Sequence, residues 1–318
     1  MGKPIGISPR TVTSLLGALF VVSWSSGFIG AKLGAADAPS TTVLMWRFLP
    51  LAALLVPVLL LPRVRRTAPG GWGRQIVVGA LSQSGYLLAV YSAVGLGVST
   101  GTTALIDGMQ PLVVAALVGP LLGMAVSGRQ WVGMGIGLLG VALVILADAS
   151  APATDAPAWA YAVPAAGMLS LVAATVLDRR ATVRPAPMTA LALHSTASAF
   201  VFTALALVTG TAVPPASTTF WVATVWLIVL PTFGGYGLYW FLFARTDVTA
   251  VNALLFLVPP VTTLWGALMF GEPFSAVTAL GLTLALSATW IVTRAARGDS
   301  AGIGREDERA GERSSSRG

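Results

Sequence analysis

Ten apolar runs of about twenty residues, separated by short polar gaps, constrain this chain more than any other feature. That length is what an α-helix needs to cross the hydrocarbon of a bilayer. A helix also satisfies its backbone hydrogen bonds within one segment, which lipid demands. The runs are Thr11–Leu33, Thr41–Leu61, Arg74–Val94, Thr100–Gly123, Gln130–Ala147, Trp159–Leu177, Pro187–Thr209, Thr219–Phe243, Thr249–Phe270 and Ser275–Thr293. Composition agrees. Of 318 residues, 55% are hydrophobic and 10% charged, against roughly 25% charged in a soluble domain. Mean hydropathy is +0.81. A membrane β-barrel would instead show alternating segments of roughly ten residues. The expected fold is an all-α polytopic membrane protein with ten transmembrane helices.

The net charge of +7 is unevenly placed. Alternate gaps hold Arg63, Arg65, Arg66 and Arg74, then Arg129, then Arg179, Arg180 and Arg184, then Arg245, then Arg294 and Arg297. Lys3 and Arg10 precede the first run. The other gaps hold Asp37, Asp148, Asp155 and Glu272, with Lys32 at a helix end. Lys and Arg are retained on the cytoplasmic side during insertion, so both termini are expected there. An even number of spans agrees, because it puts both termini on one side. A positively charged start before an apolar run also fits a cleaved signal, but this run continues to Leu33, longer than the usual signal core. Residues 294–318 are charged, small and polar, and read as a disordered cytoplasmic tail.

The two halves align without a gap. Tyr91 matches Tyr239, Pro111 matches Pro259, Gly123 matches Gly271, Ser127 matches Ser275 and Gly133 matches Gly281, each at an offset of 148 residues (259 − 111). The same register carries Pro39 onto Pro187, Thr41 onto Thr189 and Lys32 onto Arg180. The repeats are 11–147 and 159–293. Five spans per half is an odd number, so the second half inserts upside down relative to the first. A five-plus-five inverted repeat is a transporter architecture, with its substrate site near the midplane between the halves. Duplication into a static scaffold is the competing reading.

Several residues inside the spans are candidates for lining or gating such a site. Arg47 and Asp107 are charges within spans, which usually face a cavity or a partner. They either pair or flank a polar outer vestibule; a structural ion pair or a snorkelling Arg47 are the bland alternatives. His194 is the only histidine and would suit proton coupling, or else sits neutral and hydrogen-bonded in the core. Asn252 has the same two readings. Tyr86, Tyr91, Tyr236 and Tyr239 fall on the third and eighth runs, and Trp24 and Trp265 are also mid-span; such rings either wall a cavity or form aromatic belts. Ser25 sits in Val21–Gly34, where Gly27 and Gly30 offer a small-residue face for a close neighbour. Pro111 and Pro259 are repeat-related and are hinge candidates, or else tolerated kinks.

Other chemistry lacks its residues. There is no phosphate-binding Gly-rich loop for ATP and no Ser/His constellation. One histidine and no cysteine make a metal site unexpected, and no cofactor is expected. A basic tail without interleaved aromatics argues against nucleic acid; its arginines suit anionic lipid. The expected partners are a small-molecule substrate and the lipid bilayer, with a proton or other coupling ion and a homodimer left open.

The stretch WSSGFIGAKLG, followed by a proline and by Trp46-Arg47-Phe48, resembles the start of an EamA-type member of the drug/metabolite transporter superfamily. Ala253–Val292, ALLFLVPPVTTLWGALMFGEPFSAVTALGLTLALSATWIV, is similar to that family's second repeat, with its proline, Gly-Glu turn and a glycine two turns into the last helix. The resemblance covers roughly residues 12–293 and names a superfamily, not a substrate. Met124 departs from it, standing where the first repeat would carry the glutamate matching Glu272. The resemblance implies a secondary carrier of the inner (cytoplasmic) membrane, with relatives that mostly export amino acids, other metabolites or drugs. The alternative class is a membrane-embedded enzyme or lipid-handling protein, which would need polar catalytic residues clustered at one interface.

Overall fold

The computed structural model describes residues 9–62, 64, 72–121, 126–180, 185–245 and 248–292. The tail 294–318, Lys3, Arg63, Arg65, Arg66, Gly123, Met124 and Arg184 lie outside the described residues. All the regular structure described is helical. The helices are α1 (Pro9–Ala35), α2 (Ser40–Leu60), α3 (Trp72–Gly95), α4 (Thr100–Asp107 and Gln110–Leu121) and α5 (Gly128–Ala149) in the first half. The second half holds α6 (Ala158–Arg179), α7 (Pro187–Val208), α8 (Thr218–Phe243), α9 (Val248–Leu255 and Val258–Phe270) and α10 (Ala276–Val292). Among the described residues eight helices are long and apolar enough to cross a membrane, and α10 is a shorter apolar helix.

Two of the ten expected runs are not continuous helices. The fourth breaks at Gly108–Met109 and the ninth at Phe256–Leu257, again 148 residues apart. Prolines account for the positions. Pro111 has no N–H for the Asp107 carbonyl, and Pro259 and Pro260 have none for Leu255 and Phe256. Each proline instead sits in the first turn of the second piece, where a missing N–H costs nothing. The third and eighth runs each loosen into a π-helical stretch, Ala80–Gly85 and Ile228–Tyr236, which begin 148 residues apart. In α8 the cause is visible. Pro231 cannot donate to the Leu227 carbonyl, and the Thr232 hydroxyl donates to it instead, at 3.0 Å.

The packing follows the repeat register. α2 lies along α7, with Phe48 against Phe202, and α4 lies along α9. α5 crosses α10 so closely that a methyl on Gly140 would strike the Gly281 carbonyl, and one on Gly281 the Gly140 carbonyl. These pairs join each helix to its own repeat partner. Two further large contacts, α1 with α8 and α3 with α6, exchange with each other when the halves are swapped. Gly27 and Gly30 serve the α1–α8 contact: added side chains there would meet Pro231 and Leu227. The main core cluster, with Phe20, Leu44, Leu51 and Phe220 fully buried, sits where α1, α2, α7 and α8 meet.

Candidate functional site

The irregular helices surround one cavity of about 570 Å³, within the range of small-molecule sites. Both breaks open onto it, through Asp107, Gly108 and Pro111 on one side and Phe256, Val258 and Pro259 on the other. Trp24 of α1 and Tyr236, Tyr239 and Trp240 of α8 make an aromatic wall. The cavity widens toward the start of α3, the end of α6 and the start of α7, where exposed Arg179 and Pro187 form its rim. It therefore opens at the end of the bundle that carries the arginines.

At the cavity's inner limit, Asp107 ends the first piece of α4. The Tyr86 hydroxyl donates to its Oδ2 at 2.7 Å, while Oδ1 is buried without a partner. Tyr86 directly follows the π-helical stretch of α3. Arg47 does not pair with Asp107. Its Nη1 donates to the Tyr91 hydroxyl at 2.6 Å and its Nη2 to the Thr232 hydroxyl at 3.0 Å, and Nε has no partner. The guanidinium also lies over the Phe48 ring at 5.2 Å. It lines a separate, smaller cavity of about 50 Å³ with Tyr91, Gly27 and Pro231. Trp24, Tyr86 and Tyr236 line both cavities and form the septum between them.

A polar relay runs along the open side. His194 Nε2 lies 3.0 Å from Gln75 Oε1, and Gln75 Nε2 donates to Asp178 Oδ1 at 3.1 Å. Because the Gln75 amide nitrogen faces the carboxylate, its oxygen accepts from His194, which fixes the Nε2–H tautomer. Gln83, 4% exposed, accepts from Ser198 at 3.4 Å, and Ser84 donates to Ser198 at 3.1 Å. Sequence reasoning passed over Gln75, Gln83 and Asp178. The signal was there: Gln75, Ser82, Gln83 and Tyr86 recur at helical spacing on one face of α3.

The other end of the bundle is sealed. Glu272 stands in the turn after α9, where Gly271 adopts the left-handed conformation (φ 66°) that ends the helix. Its carboxylate accepts from Lys32 Nζ at 3.2 Å, from the Thr100 N–H at 3.0 Å and from the Thr100 hydroxyl at 2.7 Å. Asp148 accepts beside it from the Ser99 N–H at 3.2 Å and the Ser99 hydroxyl at 2.5 Å. Two carboxylates thus serve the buried donors that lack a helical acceptor at the start of α4, where the helix dipole favours negative charge. The Ser40–Ser92 hydroxyl pair (3.1 Å) and the Thr41–Thr211 pair (2.8 Å) tie the same end.

Of the residues singled out in the sequence, Trp24, Tyr86, Asp107, His194, Tyr236 and Tyr239, with Pro111 and Pro259, surround the large cavity. Tyr91 is beyond the septum with Arg47. Ser25 is fully buried and reaches the Val258 carbonyl at 3.4 Å, bracing the α9 break rather than lining the cavity. Trp265 packs against Trp226 at 5.9 Å, away from both cavities. Asn252 is in α9, but its side chain lies outside the described residues.

No curated protein matches the chain. A solved structure described as "Crystal structure of protein" has 21% identity to it and a TM-score of 0.59. The match covers 90% of this chain and 99% of that one, and shows a shared fold. The model of the EamA-like transporter family matches twice, over residues 11–146 and 158–294, one match to each half. The chain therefore belongs to the EamA-like transporter family.

Proposed function

We propose that the protein is a ten-span secondary carrier of the cell (inner) membrane that exports a small molecule by alternating access. Its two halves are inverted repeats, both termini are cytoplasmic, and the 570 Å³ cavity is the substrate site seen from the cytoplasm. One observation carries this reading. The paired helix breaks, 148 residues apart, flank a single cavity that is open at one end of the bundle and sealed at the other. Matching irregularities in two repeats let each half adopt the other's conformation, which moves the opening from one side to the other. The arginines at the open end support reading it as the cytoplasmic end.

The test is flux in proteoliposomes holding the purified protein. A carrier gives saturable uptake or efflux that disappears when the driving ion gradient is dissipated. Gradient-independent chemical turnover of a solute would instead support a membrane-embedded enzyme.

A further inference from the structure

The charges around the large cavity define what can rest in it. The carboxylate of Asp107 lies at its inner limit, held by one tyrosine hydroxyl and with one oxygen unpartnered. Among the described residues no cation meets it. Arg47 is held behind the septum by Tyr91 and Thr232, Lys32 is engaged by Glu272 at the sealed end, and Arg179 stands at the rim. A lone carboxylate inside a membrane bundle lacks the opposite charge that normally offsets its burial.

The wall facing this acid is aromatic. Trp24 contacts Tyr236 at 5.6 Å and Tyr239 at 6.3 Å between ring centroids, and Tyr239 meets Trp240 at 5.4 Å. Ring faces attract organic cations, most strongly where water is excluded. An anionic solute would find the opposite: Asp107 deep in the cavity, Asp178 nearer the rim, and the mid-bundle guanidinium on the far side of three rings.

We propose that the cavity is a binding site for organic cations, amines with an apolar body, whose ammonium group takes the place of the missing partner of Asp107 while the body lies on Trp24, Tyr236 and Tyr239. This rests on reading the cavity as the substrate site of a carrier. The septum confines the ligand: Trp24, Tyr86 and Tyr236 keep its positive head away from Arg47, whose charge would repel it.

The experiment compares three probes that share a benzyl group and differ in charge, phenethylammonium, phenylalanine and phenylacetate, for binding to the purified protein by calorimetry. The expected order is phenethylammonium tightest, phenylalanine weaker and phenylacetate weakest, and Asp107→Asn weakens the ammonium by about tenfold or more. Phenylacetate equal to or tighter than phenethylammonium, or no binding of the ammonium, overturns the proposal without recourse to any variant. So does unchanged ammonium affinity in a folded Asp107→Asn protein. Flux of the same probes in proteoliposomes separates this proposal from the carrier reading. Ammonium binding that needs Asp107, with no flux, upholds the site and overturns the carrier; saturable phenylacetate flux without ammonium flux upholds the carrier and overturns the cation site.

Discussion

The two ends of this bundle are built from repeated sequence yet hold themselves together by different means. At the sealed end a charge cluster joins three elements: Lys32 from α1, the first residues of α4, and Glu272 from the turn between α9 and α10. In the 148-residue register Lys32 corresponds to Arg180, but Glu272 corresponds to Met124 and Thr100 to Val248. The arginine-rich end therefore has the cation of the cluster and neither its carboxylate nor its hydroxyl. A repeat supplies backbone positions in pairs; the bonds that close each end were chosen separately. The sealed end gains a directional, charge-assisted lock, which the matched positions of the other end do not repeat.

The largest effect is expected where both ends share a support. Gly281→Leu would force a side chain into the Gly140 carbonyl at the α5–α10 crossing and cost about 3 kcal/mol or more. The measurement is monodisperse yield and Tm after detergent extraction, and a wild-type profile would show that the crossing does not hold the halves.

Glu272→Gln should act on one end only. It removes the charge that meets Lys32 and weakens the cap on α4, a loss of about 1–2 kcal/mol in favour of the sealed state. The chain has no native cysteine, so a single Ser82→Cys in the cavity wall reports access by labelling with an impermeant thiol reagent. In the parent the label enters from the arginine-rich end; with Glu272→Gln it should enter from both, with roughly a tenfold gain from the sealed side. Unchanged one-sided labelling would remove the lock from the gate. Met124→Glu is the smaller, sharpening change. It restores, by the 148-residue register, the carboxylate that matches Glu272, and should slow labelling from that end by about two- to threefold, the size expected of an exposed pair. Unchanged or faster labelling would mean that a carboxylate at this position does not lock the arginine-rich end.

Hydropathy places a residue along the membrane normal, and that much of the site was legible. Eight long apolar helices fall on the expected runs, and the helix breaks before Pro111 and Pro259 fall at the 148-residue offset that matched residues had set. Direction around each helix was not legible, because these helices are apolar on nearly every face. Arg47 in α2 and Asp107 in α4 are both charges within apolar runs, yet one turns toward Tyr91 and Thr232 and the other toward Tyr86. Trp265 was mid-span like Trp24 but turns to Trp226. The prolines signalled irregularity without revealing its form. Pro111 and Pro259 begin the second piece of a broken helix, and Pro231 opens a π-helical stretch that holds Thr232 to the Leu227 carbonyl. The mate of Glu272 at the start of α4 lies 172 residues away in sequence, beyond any local pattern.

A cavity that opens at one end only also shapes the electric field across the protein. Solvent entering from the arginine-rich end carries that side's potential inward to Asp107, so the membrane voltage falls mainly across the short sealed half. A unit charge crossing that half does work against nearly the full voltage, about 2.3 kcal/mol per 100 mV. The septum of Trp24, Tyr86 and Tyr236 stands at the start of this drop. Reopening at the opposite end would transfer the drop to the other half, so a charged solute held at Asp107 would change its electrical depth without moving relative to the protein.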